Sequence, residues 1–192
     1  MNKTKEEIKE EQKQADLNIS AICKKQKQKN EKNTGDEEIK TMSKIYITSD
    51  NHFYHGNIIR YCKRPFKTYQ EMNAHMIKQW NSIVNQDDIV FHLGDFAYKG
   101  KAKKIRKKLN GTIILIRGNH DEYITNKDGF IIVKDKLLLD NFILTHEPLA
   151  QDKIPEGFIN IHGHIHDKKS YFGINISVER TNYMPVLLST LK

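Results

Sequence analysis

The chain has 192 residues, a length that fits one domain or one domain with a tail. No apolar run approaches the ~20 residues of a membrane-spanning helix, and the N-terminus lacks the apolar core of a signal peptide. The two cysteines exclude a disulfide framework. We therefore expect a cytoplasmic protein without a membrane partner. The net charge of +8 suits an anionic partner such as a nucleotide or a nucleic acid, although a lysine-rich surface gives the same charge.

The first part of the chain differs in composition from the rest. Residues 1 to 41 contain ten lysines, nine acidic residues and no aromatic residue. Such a segment cannot bury enough apolar surface to fold alone. We therefore expect a charged, disordered N-terminal extension over residues 1–42 and a folded domain over residues 43–192. The extension is either an interaction arm or dispensable.

From Lys44 onward, apolar runs alternate with amphipathic stretches. KIYITS (44–49) and DIVFHL (88–93) predict buried strands. Between them, Thr68 precedes apolar residues at helical spacing, which predicts a capped helix. KAKKIRKKL predicts a short basic helix that ends at Asn110 and Gly111.

The second half of the chain is richer in strand patterns. The predicted strands are TIILIR (112–117), two or three strands within 130–146, FINIH (158–162), YFGINISV (171–178) and MPVLLSTL (184–191). Strand–helix–strand alternation followed by a run of strands indicates an α/β body with mixed sheet pairing.

Polar residues of the kind that bind metals follow five of these strands. In open α/β sheets, ligands bind beyond the carboxyl ends of the strands. Imidazole is the commonest protein ligand of a divalent metal, and alternate residues of a strand share one face. The five strand exits carry Asp50 and His52; Asp95; Asn119, His120 and Asp121; His146; and His164 and His166. The sequence therefore indicates one metal centre built from dispersed segments.

The ordered blocks D-x-H, G-D, G-N-H-D, H and G-H-x-H span residues 50 to 166 and resemble the signature of the calcineurin-like metallophosphoesterases. HFYHGNIIRYCKRPF and FHLGDF further resemble a small phage and bacterial branch of that superfamily. The resemblance implies a four-layer αββα sandwich of two mixed β-sheets flanked by helices, with a two-metal site at one edge.

A two-metal site needs a shared ligand, and Asp95, alone after a glycine, is the candidate bridge. By similarity, Asp50, His52 and His166 complete the shell of one ion. Asn119, His146 and His164 would complete the other. Nitrogen and oxygen ligands without thiolate suit Mn²⁺ best, with Fe²⁺, Zn²⁺ or Mg²⁺ as alternatives. His162 is expected to lie inside its strand as a hydrogen-bonded residue.

The resemblance also implies roles for residues that do not bind metal. His120 would donate a proton to the leaving oxygen. Asp121 would either steer that imidazole or cap the following segment. His55 and Arg64 could bind phosphate oxygens, Arg64 through a bidentate guanidinium.

These residues predict a dinuclear phosphoesterase that hydrolyses phosphate mono- or diesters by a metal-activated hydroxide. The sequence leaves small phosphodiesters, cyclic nucleotides, nucleotides and nucleic-acid ends open as substrates. The block Gly94–Gly100 lacks the second aspartate and the arginine of the protein Ser/Thr phosphatases, which disfavours phosphoprotein substrates. Two alternatives remain: a nuclease acting on nucleic-acid ends, and a non-enzymatic binding scaffold that retains the fold.

Overall fold

The structure is a computed structural model that describes residues 43–191, so the predicted N-terminal extension lies outside the described residues. The strands are β1 (Ile45–Thr48), β2 (Ile89–His92), β3 (Thr112–Ile116), β4 (Ile131–Val133), β5 (Lys136–Leu139), β6 (Phe142–Thr145), β7 (Ile159–His162), β8 (Ile174–Asn175) and β9 (Val186–Leu187). The helices are α1 (Gly56–Tyr61), α2 (Tyr69–Ile83) and α3 (Ala102–Arg106). Short 3₁₀ turns occupy Asn126–Asp128, Gln151–Lys153, Val178–Arg180 and Leu188–Thr190.

The strands form two mixed sheets. The first has the order β4-β3-β2-β1-β9, in which β1 to β4 are parallel and β9 is antiparallel. The second has the order β5-β6-β7-β8, in which β5 is antiparallel and the other three strands are parallel. With the helices that flank them, these sheets confirm the α/β sandwich that the sequence implied.

Helix α2 forms where the sequence predicted it. The side chain of Thr68 accepts a hydrogen bond from the Glu71 backbone N–H at 3.2 Å and so caps the first turn. Met72, Met76 and Trp80 recur at helical spacing and are fully buried. They belong to the same core cluster as Val90 and Ile113 of the first sheet. This packing fixes the helix against the sheet whose strand exits carry the first predicted metal ligands.

The strand predictions near the C-terminus were too long. YFGINISV and MPVLLSTL contain β8 and β9, which have two residues each, and both lead into 3₁₀ turns. In each segment only two residues pair with a neighbouring strand: β8 pairs with β7, and β9 pairs with β1. The three strands within residues 130–146 are present as predicted.

None of the helices within residues 43–191 is long and apolar enough to span a bilayer.

Candidate metal centre

The loops after β1, β2 and β3 meet at one edge of the first sheet. Asp50 donates its backbone N–H to the Gly94 carbonyl at 3.0 Å, and His52 donates to the Asp95 carbonyl at 2.9 Å. The backbone N–H of His120 donates to Asp95 Oδ1 at 3.0 Å. Because these strands are parallel neighbours, their carboxyl ends bring the three loops together.

The second sheet supplies the opposite side of the same site. Gly163 at the end of β7 donates its N–H to the carbonyl of His146, which follows β6, at 2.9 Å. His146 Nδ1 lies 2.7 Å from the Leu93 carbonyl oxygen, so this nitrogen carries the proton and donates it. Nε2 of the neutral ring then keeps its lone pair, which is the state that a metal ligand needs. That lone pair lies beside Asn119 Oδ1 at 3.0 Å and His164 Nδ1 at 3.1 Å.

Within the described residues, three groups of side chains have the geometry of metal sites, and two of them consist of predicted ligands. The ligand atoms of Asp50, His52 and His166 all lie within 4.8 Å of one another. Those of Asp50, Asp95 and His146 do the same. Asp95 Oδ2, a member of the second group, lies 3.6 Å from His146 Nε2 and also 3.3 Å from His52 Nε2 of the first group. A carboxylate in that position can reach ions on both sides.

The donor set fits divalent ions. Asp50 Oδ1 and His52 Nε2 are buried and lack a hydrogen-bond partner. Such atoms are costly to bury, and a cation satisfies both. Burial, followed by the nearby Arg64 charge, holds the pKa of His52 well below its usual value, which keeps the imidazole neutral. A neutral imidazole is the form that binds metal.

The backbone at these positions is strained. Ten non-glycine residues within 43–191 have positive φ, and five of them are predicted metal ligands. These are Asp50 (59°), His52 (50°), Asp95 (56°), His164 (68°) and His166 (53°). Left-handed backbone at a non-glycine residue costs roughly 1–3 kcal/mol and persists where the surroundings enforce it, often at functional sites.

Three glycines of the predicted signature stand where a side chain has no room. A Cβ at Gly94 would lie 2.6 Å from the Gly118 backbone and from His146 Nδ1. A Cβ at Gly118 would collide with Asp95 Oδ1, and one at Gly163 would collide with Ser49 Oγ and Asp50 Oδ2. The glycines therefore allow the loops of the two sheets to approach closely enough for their ligands to share a site.

His120 lies at the open side of the centre. Its side chain is 57% exposed, and its Nε2 lies 4.0 Å from Asp95 Oδ2. Its ring meets that of His52 edge-on, with 5.5 Å between centroids. A donor in this position can reach a substrate that approaches from solvent.

Asp121 joins the loops after β2 and β3. Its carboxylate is fully buried and accepts backbone N–H bonds from Asp95 (2.7 Å), Phe96 (2.9 Å) and Gly118 (2.9 Å). Burial raises the pKa of Asp121 to about 6 against the opposing effect of these hydrogen bonds. These hydrogen bonds hold the loop after β2 against the loop after β3, and the predicted influence of Asp121 on His120 stays a prediction.

Arg64 also lies in a different place from the one expected of a phosphate ligand. Its guanidinium is buried and forms a 2.6 Å ion pair with Glu179. The same group donates to the carbonyls of Asp50 (2.7 Å) and Asn51 (2.8 Å). Because its donors are taken up by protein acceptors, Arg64 supports the backbone of the first ligand loop.

Glu179 lies beside the candidate centre, and the sequence argument missed it. Its Oε1 accepts from His166 Nδ1 at 3.0 Å, a contact of the kind that orients a metal-binding imidazole. Burial opposes ionisation, but the hydrogen bond from His166 and the charge of Arg64 outweigh it and lower the pKa of Glu179. Cys62 lies within 4.8 Å of the same pair. Neither Cys62 nor Glu179 belongs to a motif, so only the fold relates them to His166.

Two other histidines are buried and hydrogen-bonded, as expected of His162. His162 is buried in β7, with Nδ1 2.9 Å from the Gly163 carbonyl and Nε2 2.8 Å from Ser170 Oγ. His92 is buried, and its Nε2 lies 2.8 Å from Asn51 Oδ1. His55 stands beside the centre, with its Nδ1 3.5 Å from His52 Nδ1.

The sequence model of the calcineurin-like phosphoesterases matches residues 43–188, so the chain belongs to that family of metal-dependent phosphoesterases. It is 42% identical to the uncharacterized protein MJ1445 of Methanocaldococcus jannaschii, over 79% of this chain and 90% of that one. It is also similar to the crystal structure of the protein of unknown function AQ665 from Aquifex aeolicus. That match has a TM-score of 0.63 and 28% identity, and covers 78% of this chain and 97% of the other.

Gly163→Ala should weaken metal binding and lower the free energy of unfolding by about 1–3 kcal/mol, because the new methyl group displaces Ser49 and Asp50. Gly56→Ala is the control, since its nearest neighbour lies 3.8 Å away. Urea unfolding and metal analysis measure both effects. Equal stability and equal metal content in the two variants would contradict the close approach of Gly163 to Ser49 and Asp50.

Glu179→Gln should weaken metal binding roughly 10–100-fold, because an amide orients the His166 ring less firmly than a carboxylate does. Calorimetric titration with Mn²⁺ measures the affinity on protein shown to be folded by circular dichroism. Glu156→Gln, at an exposed site, should bind like the wild type. Unchanged affinity in Glu179→Gln would refute the supporting role.

Proposed function

We propose that the protein is a dinuclear metal-dependent phosphoesterase that hydrolyses phosphate mono- or diesters with an activated water. The observation that carries the proposal is the pair of buried, unpartnered atoms, Asp50 Oδ1 and His52 Nε2, beside Asp95 Oδ2. A bound metal ion would satisfy both buried atoms, which supports the proposal.

The chain's own residues would hold two ions. Asp95 is the shared ligand, and the others are Asp50, His52 and His166 for one ion and Asn119, His146 and His164 for the other. When bound, two such ions polarise the phosphoryl group and lower the pKa of water. The nitrogen and oxygen donors suit Mn²⁺, with Fe²⁺, Zn²⁺ or Mg²⁺ as alternatives.

His120 is the proposed general acid. Its exposed ring stands at the edge of the centre, where it would hold a proton and pass it to the leaving oxygen. Its backbone N–H is fixed on Asp95 Oδ1, so the ligand that serves both ions also positions the acid. His55 is proposed to bind the substrate beside His120, since its ring lies 5.4 Å from the His52 ring and 6.4 Å from the His120 ring.

The two alternatives make different demands on these residues. A binding scaffold would need neither an exposed acid nor a complete ligand set, and all seven predicted ligands stand around one centre in this chain. A nuclease needs a surface that binds nucleic acid beside the metals. The exposed rings of Tyr61 and Tyr98 and the lysines that follow Tyr98 favour that second function.

Asp95→Asn should abolish turnover and weaken both ions together, because one carboxylate serves each of them. Metal content by mass spectrometry and hydrolysis of bis(p-nitrophenyl) phosphate measure the two effects. Asp135→Asn, an exposed aspartate on another loop, is the control for loss of one charge. Two ions fully retained in Asp95→Asn would refute the bridge. Wild-type activity that survives exhaustive chelation by EDTA would refute the metal dependence.

His120→Asn should keep both ions and lower kcat by roughly 10²–10⁴-fold on an alkyl ester, whose leaving group needs a proton. The loss should be far smaller on a p-nitrophenyl ester, because p-nitrophenolate leaves as a stable anion. His75→Asn, an exposed site on α2, is the matched control. Equal losses on both esters, or the loss of an ion, would show that His120 has another role.

A further inference from the structure

Two exposed tyrosine rings lie next to His55, which itself lies next to the predicted metal ligand His52. The ring of Tyr98 stacks on that of His55, with 5.3 Å between centroids and an interplanar angle of 29°. His55 in turn contacts His52. Tyr98 is 49% exposed and Tyr61, whose ring lies 6.5 Å from His55, is 64% exposed. Tyr98 and Tyr61 therefore offer exposed aromatic surface beside His55.

Tyr98 is fixed in this position by the backbone. Its N–H donates to the Phe53 carbonyl at 2.8 Å, and Phe53 forms an isolated bridge with Ala97. The loop after β2 is thereby tied to the loop after β1, which carries His52 and His55. The Tyr98 side chain remains 49% exposed at this position.

A basic segment begins directly after this tyrosine. Residues 99–108 include the short helix α3 and the turns on either side of it, and are here called the basic loop. They contain seven lysine or arginine residues and no acidic residue. Six of the seven side chains are exposed: Lys99, Lys101, Lys103, Lys104, Lys107 and Lys108. The seventh, Arg106, donates to the carbonyls of Leu109, Gly111 and Gly129 and anchors the loop.

Two of the lysines are held on aromatic rings near the site. Lys99 Nζ lies 5.4 Å from the ring centroid of Tyr123, and Lys104 Nζ lies 5.7 Å from that of Tyr54. Tyr54 follows Phe53 in the first ligand loop, and Tyr123 lies three residues after His120. These cation–π contacts place two of the lysines against tyrosines of the loops that carry His52 and His120.

We propose that Tyr98, Tyr61 and the basic loop bind a single-stranded oligonucleotide and present one of its phosphodiesters to the metal centre. Unpaired bases stack on exposed aromatic rings, and lysines contact the phosphates that follow along the strand. A basic loop alone would suit any polyanion, whereas the exposed rings select a ligand with flat bases. A base pair in a duplex hides the faces that the tyrosines would contact.

The inference rests on the proposed function for its chemical step. Water adds to phosphorus, one P–O ester bond breaks, and His120 supplies the proton that the departing oxygen takes up. The products are one strand that ends in a phosphate monoester and one that ends in a hydroxyl. No oxidant, reductant or second substrate is required.

Binding is tested apart from catalysis, with the full chain in EDTA. Fluorescence anisotropy measures the affinity for labelled oligothymidylate of ~12 nucleotides, a length within the range of such sites. An abasic strand and a duplex of the same length are the comparison ligands. The wild type should prefer oligothymidylate to both. Equal affinity for the abasic strand, or tighter binding of the duplex, would overturn the proposal.

Tyr98→Ala should weaken oligothymidylate binding roughly 5–100-fold and remove the preference over the abasic strand, whereas Tyr98→Phe should keep both. The double variant Lys101→Gln/Lys103→Gln should make the slope of log affinity against log salt shallower by about 1.4, for two phosphates of a single strand. Lys134→Gln/Lys136→Gln removes the same charge at exposed positions around β5 and should leave the slope unchanged. An equal change in both double variants would overturn the role of the basic loop.

Hydrolysis of bis(p-nitrophenyl) phosphate by the wild type with Mn²⁺ separates the two proposals. Turnover without preferential oligothymidylate binding would retain the phosphoesterase and overturn the nucleic-acid surface. Preferential binding in EDTA without turnover would retain the surface and overturn the proposed catalysis.

Discussion

A buried carboxylate at the end of β1 joins the two sheets. Asp50 Oδ2 accepts hydrogen bonds from the His164 backbone N–H at 2.9 Å and from Ser177 Oγ at 3.0 Å, both of which follow strands of the second sheet. The other oxygen, Oδ1, lacks a hydrogen-bond partner and faces the candidate metal centre. Burial raises the pKa of Asp50, so the ionised form depends on what surrounds it. Sheet docking and metal binding therefore use the same side chain.

The parts of the fold with regular periodicity were predictable from the sequence. The capped helix α2, the strands β1 to β3 and the family resemblance follow from apolar spacing and from ordered polar blocks. The two-residue strands β8 and β9 were not predictable in length, because their apolar residues pack in irregular loops as well as in a sheet. Helix α1 was missed because its six residues show too little periodicity.

The roles of individual polar residues were harder to predict than their presence. Arg64 and Asp121 have the side chains of a phosphate ligand and a catalytic acid, yet both are buried among backbone groups. Sequence cannot distinguish an arginine that faces a substrate from one that faces carbonyls, since burial depends on the whole fold. Glu179 was missed for the same reason: it is 115 residues from Arg64 in the chain and lies in no motif.

These sequence separations have a consequence for folding. The contacts that complete the centre join residues that are 114 positions apart for Asp50 and His164 and 127 apart for Asp50 and Ser177. Contacts of such long range carry a large loop-closure entropy and slow the folding of the domains that depend on them. Ions that need ligands from both sheets bind only chains in which both are complete. Ion binding would then increase the fraction of chains in the native state, and this fraction would rise with ion concentration.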